Sequence, residues 1–213
     1  NRSSVQYLHE IGFLDDRVIG SHGVYLDSRD RGLLKESGAR IVNCPAAEMK
    51  ISDGAAPAAK LIDLGVPVGI GTDGALWNDA SDMFAEMKSL LLLQRVTDGA
   101  DSLSARACMH TATLGGADVF GLAHELGSIE EGKRASVVLL DANKLHLTPL
   151  HRGSHQNVYE LVTSCARASD VHTVIVNGRI VVEGGRLCTL DEQSLIERCR
   201  ALAAERFGAE QVG

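Results

Sequence analysis

Three short β-prone runs, separated by helix-patterned segments, constrain this chain more than any other feature in it. Val18-Ile19-Gly20-Ser21-His22, Arg40 to Cys44 (RIVNC) and Val66 to Ile70 are rich in β-branched residues. Between them, Ser28 to Gly38 and Ala58 to Leu64 carry apolar residues at helical spacing. Gly38 is placed to cap the first of these helices, Pro45 stops the second strand, and Pro57 stands near the start of the second helix. Strand, helix, strand, helix, strand with short connections predicts a parallel sheet with right-handed crossovers. A closed barrel of such units needs roughly eight strands and ~250 residues, so these runs cannot close one alone.

The third run lies in Gly65 to Asn78 (GVPVGIGTDGALWN) and leads into Thr72-Asp73-Gly74. A carboxylate at the C-terminal tip of a buried parallel strand must be offset by a cation, a metal or a set of hydrogen bonds. The plainer alternative is an Asp that caps a turn before Trp77-Asn78-Asp79. His22 stands at the tip of the first run, and parallel topology puts both tips on one rim, where barrels of this kind carry their active sites. Alone, His22 reads better as an ordinary strand-end histidine. Together, an imidazole and a carboxylate suit a borderline metal such as zinc, or acid–base work on a water molecule. They do not complete a site, because catalytic zinc takes three protein ligands plus water.

The remaining pattern is simpler. Ser4 to Gly12 predicts a short amphipathic helix with Ser4 as its cap. Ala46 to Ala55 reads as a loop containing Glu48 and Asp53. Ala80 to Thr97 predicts a long helix with Met83, Phe84, Met87, Leu90, Leu91 and Leu93 on its apolar face, and Ser104 to Phe120 predicts another. Further on, the character changes. Ala135 to Leu140 predicts a strand, and His172 to Val182 predicts a hairpin turning at Asn177-Gly178. Ser194 to Phe207 predicts a terminal helix. His151 and His155 (HRGSH) could be read as a metal pair but fit a connecting loop better.

Composition excludes several classes. A net charge of −7 with no Lys/Arg run, and an aromatic content of 4%, argue against nucleic-acid binding. No apolar run approaches the ~20 residues that span a bilayer. The five cysteines are scattered without a C-x-x-C pair, which predicts reduced thiols and a cytoplasmic setting. A Rossmann-type nucleotide site is disfavoured, since no G-x-G-x-x-G follows a strand. The opening Asn1-Arg2-Ser3-Ser4 lacks both Met and a secretory pattern, so the chain is expected to begin partway through a longer protein.

The ordered runs SHGVYLD, NCPAAEMKISDGAAP, GVPVGIGTDGALWNDASDMFAEMK, LGSIEEGKRASVVLLD and VIVNGRIVV together resemble the amidohydrolase superfamily. Within it they resemble the branch of triazine hydrolases and methylthioadenosine/adenosylhomocysteine and guanine-type deaminases, from Tyr7 to about Arg186. The resemblance implies a zinc- or iron-dependent (β/α)8 barrel with a small β-sandwich. By motif, His22 matches the histidine of the sixth strand that orients the attacking water, and Asp73 matches the metal-ligand aspartate of the eighth. Trp77 and Asn78 would line the pocket, and Glu48 to Asp53 would form the loop after the seventh strand.

Three departures qualify the likeness. The family's H-x-H and H-x-x-E motifs are absent and are expected upstream of Asn1. The usual His-x-Pro-x-Ser-Asn reads Asn43-Cys44-Pro45-Ala46-Ala47-Glu48, which puts Asn43 and a carboxylate at Glu48 in the substrate region. The usual Ala-Asp of the late strand reads Ala135-Ser136.

The expectation is therefore an α/β chain holding about strands 6 to 8 of a TIM barrel over residues 1–126, sandwich strands over 127–190 and a helix over 191–213. It would act in a homodimeric, metal-dependent deaminase of a heterocyclic small molecule, completed by an upstream segment. The alternative is a non-catalytic relative used for assembly. An open parallel edge is further expected to pack against more polypeptide or to leave an apolar face.

Overall fold

A computed structural model describes residues 2–208. Helix α1 (Ser4–Glu10) is capped by Ser3 rather than Ser4, the Ser3 hydroxyl accepting from Gln6 N–H. Strand β1 (Ile19–Ser21) follows, then α2 (Ser28–Ser37), opened by an Asp27/Asp30 capping box and closed by Gly38 in the left-handed region at φ 74°. Next come β2 (Arg40–Asn43), α3 (Pro45–Lys50), α4 (Ala58–Asp63) and β3 (Val68–Ile70). The stretch expected as a loop after Cys44 thus begins with a helix. Pro45 both ends the strand and starts α3, since at the first helical position its missing N–H costs nothing.

The three strands form one parallel sheet in the order β1-β2-β3, with Ser21 beside Val42 and Asn43 beside Ile70. Ile41, Leu61, Val66, Val68, Leu90 and Leu91 form its buried core. The sheet is open at β1 and β3 among the described residues, and exposed apolar residues lie in β1 itself, at Ile19, and on the segments flanking it, at Phe13 and Tyr25.

Beyond β3 the chain makes α5 (Ala75–Asn78) and α6 (Met83–Asp98), the latter capped by Asp82 through Phe84 and Ala85 N–H. The buried face of α6 carries two polar residues, Glu86 and Gln94. Gln94 is fully buried, accepting from Ala59 N–H at 3.0 Å and donating to Ala56 C=O at 2.9 Å, so it caps α4 from the side. The helix expected over Ser104 to Phe120 is two helices, α7 (Ala105–Ala112) and α8 (Leu114–Val119), broken at Thr113. The break lets Gly115 and Gly116 of α8 lie directly on β3. A Cβ at Gly115 would stand 2.9 Å from both Val68 O and His110 O. Gly115→Ala is therefore expected to destabilise the intact protein by about 1–3 kcal/mol, as overpacking against backbone does, measured by urea unfolding.

The strand β4 (Val137–Leu140), helix α9 (Val158–Ser164), strands β5 (Val171–Val176), β6 (Arg179–Glu183) and β7 (Arg186–Leu187), and helix α10 (Glu192–Phe207) complete the chain. The chain divides into two compact units. One runs to Lys133 and takes up Ala142–Ala168; the other comprises Arg134–Asp141 and the chain from Ser169 onward. The second unit is a four-stranded antiparallel sheet, β4-β5-β6-β7, with α10 largely exposed. Its β5–β6 turn has Asn177 and Gly178 at φ 50° and 79°, the conformation that suits the strands' twist. Ser136 Oγ accepts from Asn177 N–H at 3.1 Å, so the serine at this departure from the family pattern ties the turn to β4. No helix among the described residues is long and apolar enough to cross a membrane.

Candidate active site

Because β1, β2 and β3 run parallel, the residues that follow them gather on one rim. His22 comes directly after β1, Cys44 directly after β2, and Asp73 three residues past β3. His22 and Asp73 both adopt left-handed backbone, at φ 67° and 58°, where side-chain-bearing residues are uncommon. The chain holds His22 there by clamping its peptide groups to β2. Its N–H donates to Val42 C=O at 2.7 Å, and its C=O accepts from the Asn43 side-chain amide. Backbone conformations of this kind cluster where a side chain must be aimed against local preference.

The aim brings the two expected residues together. His22 Nε2 lies 3.7 Å from Asp73 Oδ2, while Asp73 Oδ1 accepts from Gly74 N–H at 2.6 Å. A third potential donor joins them. The His22 ring, the Cys44 thiol and the Asp73 carboxylate each offer a ligand atom, all within 4.8 Å of one another. A cation at the usual ~2.0–2.3 Å from each reaches across about 4.6 Å, so the donor set fits a divalent metal of zinc type once the side chains close by a few tenths of an ångström. The Cys44 thiol is buried, and burial together with the Asp73, Glu48 and Glu86 carboxylates pushes its pKa up to about 11. Cys44 was not singled out from the sequence. Its signal was the register: it follows β2 as His22 follows β1.

The four residues expected to contact substrate are placed differently from one another. Trp77 is half exposed, on α5 beside Asp73. Asn78 is spent inside the protein: its amide donates to Glu86 Oε1 at 2.6 Å and its oxygen accepts from Ala80 N–H. Asn43 is fully buried and spends its amide on the His22 carbonyl. Glu48 is 1% exposed, accepts from Cys44 N–H at 2.9 Å, and faces His22 Nδ1 at 3.4 Å. Burial raises the Glu48 pKa, opposed by the Cys44 N–H and by His22. His151 and His155 are exposed, in and beside a short 3₁₀ turn. A hollow of about 380 Å³ between α1, α2 and β1 meets this site only through His22.

Glu86, fully buried in the first turn of α6, ties the rim together. Its second oxygen accepts from Ala46 N–H of α3 at 3.2 Å, so one carboxylate joins α3, α5 and α6. Burial raises its pKa, with Asn78 and Ala46 opposing. The fold thus favours the protonated form. Its contribution is largest below the unfolded carboxyl value of ~4.3 and declines as pH rises through the raised folded value. Glu86→Gln cannot ionise, so it is expected to gain stability relative to the parent between about pH 4 and about pH 7, read by urea unfolding at each.

Residues 2–181 match the amidohydrolase family. The chain belongs to it. Among curated amidohydrolase relatives, it is 37% identical over 195 residues to the 5-methylthioadenosine/S-adenosylhomocysteine deaminase of Thermodesulfovibrio yellowstonii, covering 91% of this chain and 43% of that protein. Among solved structures, an adenosine deaminase from Xanthomonas campestris with bound zinc superimposes with a TM-score of 0.88 at 31% identity, covering 94% of this chain and 45% of that one. Atrazine chlorohydrolase from Arthrobacter aurescens TC1 complexed with zinc gives 0.83 at 26% identity, over 92% and 43%. This amidohydrolase chain spans about half the length of the relatives it matches.

Proposed function

We propose that this chain forms the C-terminal part of a metal-dependent hydrolase. It would supply about strands 6 to 8 of a (β/α)8 barrel and part of the adjoining β-sandwich. The whole protein would remove an amino group from an aminated N-heterocycle, with a purine nucleoside as the first candidate and pterin or triazine rings as the others. The observation that carries this reading is the convergence of His22 Nε2 and Asp73 Oδ2 at 3.7 Å on one rim, each on left-handed backbone. The names of the similar proteins support the substrate class.

In this reading Asp73 holds a divalent cation, zinc first and iron second, with further ligands from an upstream segment. Such a cation, when bound, lowers the pKa of water from ~15.7 toward ~7. Asp73 Oδ2 takes the proton of the attacking water, and His22 Nε2 orients that water toward the ring carbon bearing the amino group. Addition forms a tetrahedral carbon. Its collapse breaks the C–N bond, and the proton returned from Asp73 leaves with ammonia. Trp77 is the residue assigned to cover the ring. A homodimer follows family analogy, and a cytoplasmic setting follows the free cysteines.

The test is the intact protein, with whatever precedes this chain, assayed for bound metal and for ammonia released from adenosine-type nucleosides, aminopterins and aminotriazines. About one tightly held equivalent of metal and ammonia from at least one class is expected. A protein that takes up no metal and releases no ammonia under any condition is instead the non-catalytic relative.

A further inference from the structure

His22 is held between two carboxylates on opposite edges of its ring, with Asp73 Oδ2 facing Nε2 at 3.7 Å and Glu48 Oε1 facing Nδ1 at 3.4 Å. The two sides differ. The Asp73 side chain is about one-third exposed, whereas Glu48 is buried. His22 Nδ1 and Glu48 Oε2 are both buried without a hydrogen-bond partner. The Glu48 carboxyl is itself pinned, Oε1 accepting from Cys44 N–H at 2.9 Å at the start of α3. A neutral imidazole carries its proton on one nitrogen only, and the partner of one nitrogen decides the state of the other.

We propose that Glu48 is a positioning residue: it accepts the Nδ1 proton of His22 and so holds the imidazole in the tautomer whose Nε2 lone pair faces Asp73. The lone pair of Nε2 and the Asp73 oxygen then converge, an arrangement that repels unless a cation or a water proton lies between them. Glu48 touches neither substrate nor reacting atoms; it acts through His22. The 3.4 Å separation is a few tenths longer than a well-formed N–H···O bond of ~2.9 Å, and contacts of this kind tighten in the loaded complex. The departure of this chain from the family's usual asparagine therefore bears on the histidine behind the pocket rather than on the pocket wall.

The catalytic consequence rests on the role given to His22 above; the tautomer does not, which keeps the two failures apart. In the intact, zinc-loaded protein labelled with ¹⁵N-histidine, long-range ¹H–¹⁵N correlation reads the His22 tautomer, its signal assigned by loss in His22→Asn. The parent is expected to show the Nδ1–H form. Glu48→Gln keeps an acceptor oxygen in the same place, so it is expected to retain that form and to change kcat by less than about threefold. Glu48→Leu is expected to lose the tautomer preference and 10–100-fold in kcat, with KM nearly unchanged. An Nε2–H form in the parent overturns the proposal without any variant. So does a Glu48→Leu protein with unaltered tautomer, or a Glu48→Gln protein as impaired as Glu48→Leu. If the intact protein is inactive toward every substrate class, the proposed function fails while the tautomer still decides the role of Glu48.

Discussion

Asp73→Asn in the intact protein is expected to lose the bound metal and at least about 10³-fold in kcat/KM, while unfolding at nearly the parental urea concentration. Asparagine is the informative replacement because Asp73 sits at φ 58°. Asn tolerates left-handed backbone, and its side-chain oxygen can still accept from Gly74 N–H as Asp73 Oδ1 does. What it removes is the negative charge and the basic oxygen that faces His22. Asp73→Ala would take away the same groups but would also strain the turn, so a fall in activity could be a folding defect. Metal content by elemental analysis, kinetics and unfolding together separate these causes. Retention of a full equivalent of metal by Asp73→Asn would refute the ligand assignment.

His22→Asn is the companion, expected to lower kcat/KM by about 10²–10⁴-fold while leaving more metal in place than Asp73→Asn does. His22 is held through its backbone, by Val42 C=O and the Asn43 amide, so the imidazole can be removed without unpinning the rim. Its φ of 67° again favours asparagine. A histidine that only orients water should cost turnover; one that ligates the cation should cost metal as well. If His22→Asn and Asp73→Asn deplete the metal equally, the two residues share coordination and the division of roles is wrong. If His22→Asn is as active as the parent, the histidine is structural.

The parallel sheet was legible because each strand is a short β-branched run set off from the next by a helical period, and that alternation admits few topologies. The rim pair was legible for the same reason, since parallel strands collect their C-terminal tips. The break at Thr113 was not. Nothing in the apolar spacing of Ser104 to Phe120 signals it, and its cause is contact with β3 at Gly115 and Gly116. The helix at Pro45 was hidden behind a proline that reads equally as a strand stop and a helix start. Asn78 looked like a pocket residue by position, yet Glu86, eight residues on, consumes its amide.

The sequence alone determined the alternation of elements, the family likeness and the placing of His22 and Asp73 after parallel strands. These are consequences of local pattern and chain order, which any reader of the residues can trace. Only the tertiary structure decided how the polar groups are spent. It turned Glu48 toward His22, Asn43 to the His22 carbonyl and Asn78 to Glu86, and it brought the Cys44 thiol up to the histidine and the aspartate. The physical reason is that a buried donor or acceptor takes whichever partner folding places beside it, and those partners lie on different elements, where no sequence period records the pairing.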